Sequence, residues 1–296
     1  MSDDTRKILA KVIIDVILLC CVGFPILFFF LWGTPYKRGF FCDDESLKHP
    51  FKDSTVKSYM LYLYGIALPV IAIILTEYFR ARRKGDTRRY RLFDVNIPDW
   101  ITNSYNNIGI FGFGAAATQL VVDIAKYQIG RLRPHFFDVC KPRMLDGTTC
   151  QDPQNHGIYH LNFTCDGEEQ GTSTARQIKE MRLSFPSGHS SFSAYTMIYC
   201  AIYLHARMNW EGSKLLKHFF QYLLVLITWY TSLSRISDYK HHWSDVLAGA
   251  SLGVIGALIT SQFISDLFAK HKSSLLPTTR NNINNNSDGS TTPITR

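Results

Sequence analysis

The stretch SRISDYKHHWSD, residues 234–245, decides how the rest of the sequence is interpreted. It contains an arginine, two adjacent histidines and a carboxylate, and an apolar run over 246–264 follows it directly. The run predicts a helix with Asp245 in its first turn. Either His241 or His242 can then meet that carboxylate, which would fix the ring tautomer and leave the other ring nitrogen as a base or nucleophile.

Arg235 adds an anion-binding group to the same stretch. Its guanidinium can donate two parallel hydrogen bonds to the oxygens of a phosphate. A cation, a histidine and a carboxylate at the edge of an apolar run therefore indicate chemistry on a phosphate group at a membrane boundary.

Five further apolar runs precede this one. Together the six predicted spans are 12–32, 57–79, 103–125, 190–206, 218–233 and 244–266. The first two are apolar around their whole circumference, which argues against a soluble protein with buried helices. The first is also too long for a cleaved signal peptide. We therefore predict an all-α fold, a bundle of six transmembrane helices over residues 1–268.

The segment 80–91 sets the predicted orientation of these spans. It carries seven basic residues and one acidic residue, so the positive-inside rule places it in the cytosol. A nucleic-acid patch is excluded by the spans on both sides. With six spans, both termini are then cytosolic, and the connectors 33–56, 126–189 and 234–243 lie on the extracytoplasmic side.

Features of the extracytoplasmic connectors agree with this orientation. Asn162 begins an Asn-Phe-Thr glycosylation acceptor, whereas the similar triplet at Asn285 lies in the predicted cytosolic tail and should stay unused. The tail 269–296 is rich in Asn, Ser and Thr and is predicted to be disordered. Four cysteines on the outer connectors permit three disulfide pairings, which the sequence leaves open: Cys42, Cys140, Cys150 and Cys165.

Two further polar clusters fall on the same predicted side. Lys126 and Arg133 follow the third span, and residues 186–189, PSGH, begin the fourth. The unpaired N–H groups of a helix N-terminus can bind an anion, and His189 could donate a proton to it. Taken singly, Lys126 could be a snorkelling lysine and Ser187 only a helix cap. Three such segments on one face favour a shared site.

Three spaced motifs carry a resemblance to a known family. They are KxxxxxxRP at 126–134, PSGH at 186–189 and SRxxxxxHxxxD at 234–245. Together they resemble the type 2 phosphatidic acid phosphatase superfamily. The longer runs at 123–136 and 238–247 resemble the animal lipid phosphate phosphatases in particular. Pro186 departs from the aromatic residue usual in the animal group, but this bears on no catalytic role.

The resemblance implies a role for each matched residue. His241 would be the nucleophile, Asp245 would orient it, and His189 would act first as the general acid and then as the base. The phosphate-binding set would be Lys126, Arg133, Ser187, Gly188 and Arg235. The implied reaction passes through a phosphohistidine and needs neither a metal nor another cofactor.

We therefore expect an integral-membrane lipid phosphate phosphatase of the plasma membrane or the secretory pathway. Its expected partners are membrane lipids and the substrates phosphatidate, lysophosphatidate, sphingosine 1-phosphate and ceramide 1-phosphate, with no nucleic acid. The alternatives are a membrane phosphotransferase that uses the same histidine and a catalytically silent scaffold. A transporter would instead need polar groups deep in the bilayer. The preferred lipid, the membrane and homo-oligomer formation stay open.

Overall fold

The computed structural model describes residues 3–84, 90–92, 95–208, 213–265 and 267–268. Its helices are α1 (Asp3–Trp32), α2 (Ser58–Lys84), α3 (Asp99–Ile129), α4 (Phe136–Cys140), α5 (Asp166–Glu169), α6 (Ala175–Glu180), α7 (Gly188–Arg207), α8 (Lys214–Ser237) and α9 (Trp243–Ile259). Its strands are β1 (Phe40–Phe41), β2 (Tyr90–Leu92), β3 (Val95–Ile97), β4 (Pro142–Met144), β5 (Tyr159–His160) and β6 (Phe163–Cys165). The predicted disordered tail, the Asn285 triplet and the middle of the basic segment 80–91 lie outside the described residues.

Six long helices coincide with the six predicted spans. They are α1, α2, α3, α7, α8 and α9, the last continuing into a π-helical turn at Thr260–Ile264. By length and composition, four helices of the described residues are long and apolar enough to cross a membrane: α1, α2, α3 and α9 with its π turn. The mainly helical fold is therefore confirmed, whereas six membrane crossings remain a prediction.

α7 is the central helix of the bundle, and its position explains why it is not among the four helices apolar enough to cross a membrane. It packs against α2, α3, α8 and α9, and most of its residues are buried. Polar side chains on α7 therefore meet protein and not lipid; the Tyr195 hydroxyl, for example, donates to the Phe111 carbonyl at 2.9 Å. A Cβ atom added at Gly249 or Gly253 of α9 would collide with the α7 backbone, so these glycines allow the two helices to approach closely.

The connectors 33–57 and 130–187 fold together at the end of the bundle where α3 ends and α7 begins, and we call them the cap. Within it, β1 pairs antiparallel with β5, and β4 pairs antiparallel with β6. A third ladder, β2 with β3, lies between α2 and α3. These two- and three-residue strands are an addition to the predicted all-α fold, because runs so short carry no periodic signal in the sequence.

A small core and two disulfides hold the cap together. Phe40 and Phe136 are almost completely buried in its centre. The cysteines pair as Cys42–Cys150 and Cys140–Cys165, which selects one of the three pairings that the sequence allows. Such staples suit a unit whose hydrophobic core is too small to be stable alone.

Candidate active site

Residues from four separate segments meet where the cap joins the bundle. Lys126 lies in the last turn of α3, and Arg131 and Arg133 follow in the next loop. Backbone hydrogen bonds tie that loop to the segment before α7, since the Arg131 carbonyl accepts from the Ser184 N–H at 3.0 Å. The start of α7 is tied to α9 in the same way, because the Ser187 N–H donates to a carbonyl of the first turn of α9 at 2.9 Å. The structure therefore brings the three predicted motifs together.

His241 is 4% exposed, and its tautomer follows from one contact. Its Nδ1 lies 2.7 Å from the backbone carbonyl of Ser184. A carbonyl can only accept a hydrogen bond, so Nδ1 carries the proton and Nε2 keeps a free lone pair. Burial lowers the pKa of His241 to about 3, an effect that Asp245 opposes and that Arg133 and Lys126 reinforce. At neutral pH the ring is therefore neutral, which is the state that a nucleophile requires.

Asp245 supports His241 less directly than the sequence predicts. The distance from its Oδ2 to His241 Nδ1 is 3.8 Å, which is too long for a hydrogen bond. Instead, Oδ2 accepts from the Ser184 hydroxyl at 2.6 Å, and Ser184 in turn binds His241 through its carbonyl. Sequence reasoning missed Ser184 because a backbone carbonyl leaves no trace in residue identity.

His242 has a different environment from its neighbour. It is the N-cap residue of α9, with its backbone N–H 3.0 Å and its Nδ1 3.2 Å from Oδ2 of Asp245. Both contacts belong to a capping arrangement at the helix start. The sequence alone left the choice between the two histidines open, and this geometry gives His242 the structural task.

Arg131 was not predicted as a site residue. Its Nη1 donates to Asp245 Oδ1 and to the Ser244 hydroxyl, so it neutralises a carboxylate that is fully buried. Arg133, two residues later, is placed quite differently. Its Nη1 is 3.9 Å from Glu180 Oε2, and its buried Nε has no hydrogen-bond partner among the described residues. Burial lowers the pKa of Arg133, although Glu180 and Asp245 oppose the shift.

The N-terminus of α7 contributes three predicted residues. A Cβ atom at Gly188 would lie 2.9 Å from Lys126 Nζ, so glycine at this position leaves room for the ammonium group beside the helix start. His189 follows in the first turn, where its Nε2 is buried without a hydrogen-bond partner within the described part of the chain. The amides of Gly188 and His189 lie where an α-helix leaves its N–H groups unpaired.

The Ser187 side chain is used as a helix cap. Its Oγ accepts from the Ser190 N–H at 3.4 Å and from the Ser190 hydroxyl at 3.0 Å. The sequence analysis gave this helix-cap role as the alternative to phosphate binding by Ser187. The hydroxyl shapes the turn that presents the amides of Gly188 and His189.

Arg235 is 1% exposed and is held by a carboxylate that sequence reasoning did not select. Its Nη2 donates to Asp238 Oδ2 at 2.8 Å. Asp238 is held in turn by the cap, since its carboxylate accepts from the Thr55 N–H at 2.8 Å and from the Thr55 hydroxyl at 2.7 Å. Ser54 also accepts from Arg235 Nη1, at 3.3 Å. The spacing of three residues between Arg235 and Asp238 at a helix end was the available signal.

Three cations thus surround two histidines. Lys126, Arg133, Arg235 and His241 all act electrostatically on His189. Such a cluster favours a ligand with more than one negative charge, and a phosphate dianion supplies it together with acceptors for the unpaired N–H groups.

Comparison with known proteins agrees with the motifs. The sequence model of the PAP2 superfamily matches residues 107–269, which include every residue described above except those of the cap segment before α2. The chain belongs to the PAP2 superfamily. This confirms the resemblance inferred from the three motifs.

Relatives in the family extend over nearly the whole chain. A Drosophila melanogaster protein named "Putative phosphatidate phosphatase" is 56% identical over 275 residues, which cover 90% of this chain and 72% of the relative. Rat "Phospholipid phosphatase 1" is 40% identical, covering 90% of this chain and 89% of the relative. Human "Phospholipid phosphatase 2" is 37% identical, covering 87% and 83%. No solved structure shows significant similarity to the chain.

Proposed function

We propose that the protein is a membrane-embedded lipid phosphate phosphatase in which His241 attacks the phosphorus of a lipid phosphomonoester. The observation that carries the proposal is a pair of buried nitrogens, His189 Nε2 and Arg133 Nε, without partners among the described residues and close to a histidine of defined tautomer. An unpaired buried polar group costs about 1–3 kcal/mol. Such groups persist where a ligand supplies the missing partner.

The reaction begins with the lone pair on His241 Nε2. It forms a bond to phosphorus, the bond from phosphorus to the lipid oxygen breaks, and His189 donates a proton to the departing alkoxide. The product is a phosphohistidine and the free alcohol. His189 then removes a proton from a water molecule that attacks the phosphorus, the P–N bond breaks, and inorganic phosphate leaves. The phosphate dianion itself favours the protonated form of His189 at the start.

Charge stabilisation falls to the cations and the amides. Lys126, Arg133 and Arg235 would bind the phosphoryl oxygens, with the Gly188 amide and the Ser187 turn completing the cradle. The carboxylates Asp238 and Asp245 already bind arginines. We therefore propose that the reaction proceeds without a metal ion, with the three cations neutralising the phosphate.

We further propose six membrane crossings with the site on the extracytoplasmic side. Two disulfides in the cap suit an oxidising compartment, Asn162 is exposed, and Arg80, Arg82 and Arg83 lie at the end of α2 away from the cap. Because the four cap cysteines are paired, a thiol probe needs introduced cysteines. An impermeant maleimide should label Leu145→Cys and not Arg82→Cys in intact cells. The reverse pattern would overturn the orientation.

A lateral route for the lipid is part of the proposal. An apolar groove of about 540 Å³, which we call the outer groove, lies between α2 and α8. Beside it, Tyr64 and Thr231 are hydrogen-bonded at 2.7 Å, and Thr231 lies one helical turn before Arg235. A chain in this groove would keep its methylenes out of water, which would otherwise cost about 0.8 kcal/mol each. The route suits glycerol and sphingoid lipid phosphates alike.

The deciding experiment is release of inorganic phosphate by purified protein in EDTA. The panel contains phosphatidate, lysophosphatidate, sphingosine 1-phosphate, ceramide 1-phosphate and a soluble sugar phosphate in mixed micelles. We expect turnover of the lipids and little turnover of the sugar phosphate. Preference for the sugar phosphate would overturn the substrate class, and loss of all activity in EDTA would overturn metal independence. Transfer of phosphate to an added alcohol in place of water would identify the phosphotransferase alternative.

A further inference from the structure

A second and larger apolar pocket lies in the seam between α2 and α8, at the end away from the catalytic residues. We call it the inner pocket; its volume is about 930 Å³. Its walls include Ala72 and Phe79 of α2, Cys200 and Leu204 of α7, and Phe220 and Leu224 of α8. Three arginines also line it, Arg80, Arg83 and Arg207.

The inner pocket and the catalytic site lie on opposite sides of the bundle. His189 begins α7 at the catalytic end and Arg207 ends it at the pocket. The eighteen helical steps from His189 to Arg207 correspond to about 27 Å of helix. This is close to the thickness of the hydrocarbon core of a bilayer, about 30 Å. A lipid with its head group at the arginines would therefore belong to the leaflet opposite the catalytic site.

The described residues that line the inner pocket include three arginines, Arg80, Arg83 and Arg207, and no acidic residue. Glu77 is the nearby carboxylate of α2. It is 2% exposed, accepts from the Tyr203 hydroxyl at 2.7 Å and lies 3.8 Å from Arg80. Glu77 can balance the charge of one of the three arginines.

We propose that the inner pocket binds one anionic phospholipid, with its acyl chains against α7 and its phosphate at Arg80 and Arg83. Apolar walls suit acyl chains, and a cationic rim at the membrane surface suits an anionic and not a zwitterionic head group. The ligand class is a phosphodiester lipid, which the catalytic chemistry on phosphomonoesters would leave intact. If the orientation proposed above holds, the lipid belongs to the cytosolic leaflet.

The inner pocket and the outer groove share two wall residues, Leu223 and Ile227. The two cavities therefore adjoin each other along the seam between α2 and α8, and residues of α7 line the inner pocket. The chains of an inner lipid and of a substrate lipid would meet at these two side chains, while their head groups remain on opposite sides.

Native mass spectrometry of delipidated full-length protein in neutral detergent tests the proposal. The probes are phosphatidylglycerol and phosphatidylcholine with the same acyl chains. We expect one phosphatidylglycerol per chain, bound about tenfold more tightly than phosphatidylcholine. The double variant Arg80→Gln/Arg83→Gln should lose this preference, whereas the charge-matched control Arg6→Gln/Lys7→Gln, at two exposed positions on α1, should keep it.

A second variant tests the chain-binding walls. Ala72→Trp places a large ring in the inner pocket and should reduce binding of both lipids, whereas the control Leu18→Trp on the exposed face of α1 should not. All variants should retain phosphatase activity, which shows that they are folded. Equal binding of the two lipids by the wild type would overturn the proposal, as would an unchanged preference in the arginine variant. A fall in dimer content caused by Ala72→Trp alone, without loss of lipid, would assign the pocket to a second copy of the chain.

Discussion

Arg131 and Arg133 lie two residues apart in one loop, yet they are placed in opposite ways. Arg131 is bound to Asp245 and Ser244, and through them it supports the start of α9. Arg133 has only a 3.9 Å contact with Glu180 and an Nε without a partner among the described groups. The difference separates groups that hold the site in shape from groups that remain available to a phosphate. Hydrogen-bond satisfaction thus distinguishes roles that residue type cannot.

His241 and His242 show the same contrast between a group available to a phosphate and a group that holds the site in shape. Substitution of His241 has the largest expected effect on turnover. His241→Gln should lower turnover by more than about 10³-fold, because it removes the proposed nucleophile. His242→Gln is the matched control and should retain most activity, since His242 caps α9. Trapping of acid-labile, base-stable phosphate on the protein should succeed with wild type and His242→Gln only. Labelled phosphate on His241→Gln would exclude it as the nucleophile.

The arginine pair should give the next largest effect. Arg133→Gln should lower kcat/KM by about 10²- to 10³-fold with little change in melting temperature, because the proposed role of its guanidinium is to bind the phosphate. Arg131→Gln should lower both kcat/KM and the melting temperature, because it leaves the buried Asp245 carboxylate without its cation. Thermal unfolding and kinetics on both variants check the comparison. Equal lowering of the melting temperature by the two substitutions would contradict the proposed difference between Arg131 and Arg133.

Asp238 should have a smaller effect, as a positioning residue that acts through Arg235. Asp238→Asn should reduce kcat/KM by about tenfold, and Thr55→Val should do so more weakly. A double-mutant cycle should show strong coupling between them, since both hold the same guanidinium. Asp146→Asn, at an exposed position elsewhere in the cap, is the control. Additive losses would mean that Thr55 does not act through Asp238.

The smallest expected effect is a change in how stability depends on pH. The pKa of His241 is lowered to about 3 in the folded protein, against about 6.5 in an unfolded chain. The unfolded state therefore binds the extra proton between these values, so stability is full above pH 6.5 and falls as the pH drops toward 3. Buried His135, with its pKa lowered to about 4, contributes in the same direction. His241→Gln should reduce, and not abolish, the loss of melting temperature between pH 7 and pH 5. An identical loss in wild type and variant would contradict the shift at His241.

Local signals predicted much of this architecture from the sequence. The apolar runs located the six long helices, the motif at 186–189 spans the observed start of α7, and Asp245 lies in the first turn of α9 as predicted. The cap could not be predicted in this way, because its strands are two or three residues long and its disulfide pairing depends on the folded arrangement. α7 and α8 also carry weaker apolar signals than the other long helices, since part of their surface meets protein in place of lipid.

The site showed the same division between local and distant contacts. Each motif pointed to residues that the structure brings together in the candidate site, whereas the contacts between motifs were not foreseen. Ser184 acts through a carbonyl, and Thr55 reaches Asp238 across 183 positions of sequence. Contacts of this length depend on how the helices pack, which a single sequence does not reveal.

The link from the cap to Arg235 has a consequence for the biosynthesis of the enzyme. The segment that carries Ser54 and Thr55 begins near Cys42. Cys42 forms a disulfide with Cys150, which lies 108 residues further along the chain. Thr55 can reach Asp238 only after α8 has been synthesised and has packed beside the cap. A newly made chain should therefore pass through an inactive stage in which Arg235 is not yet held in place. The enzyme would acquire its activity only when the cap and the end of α8 have come together.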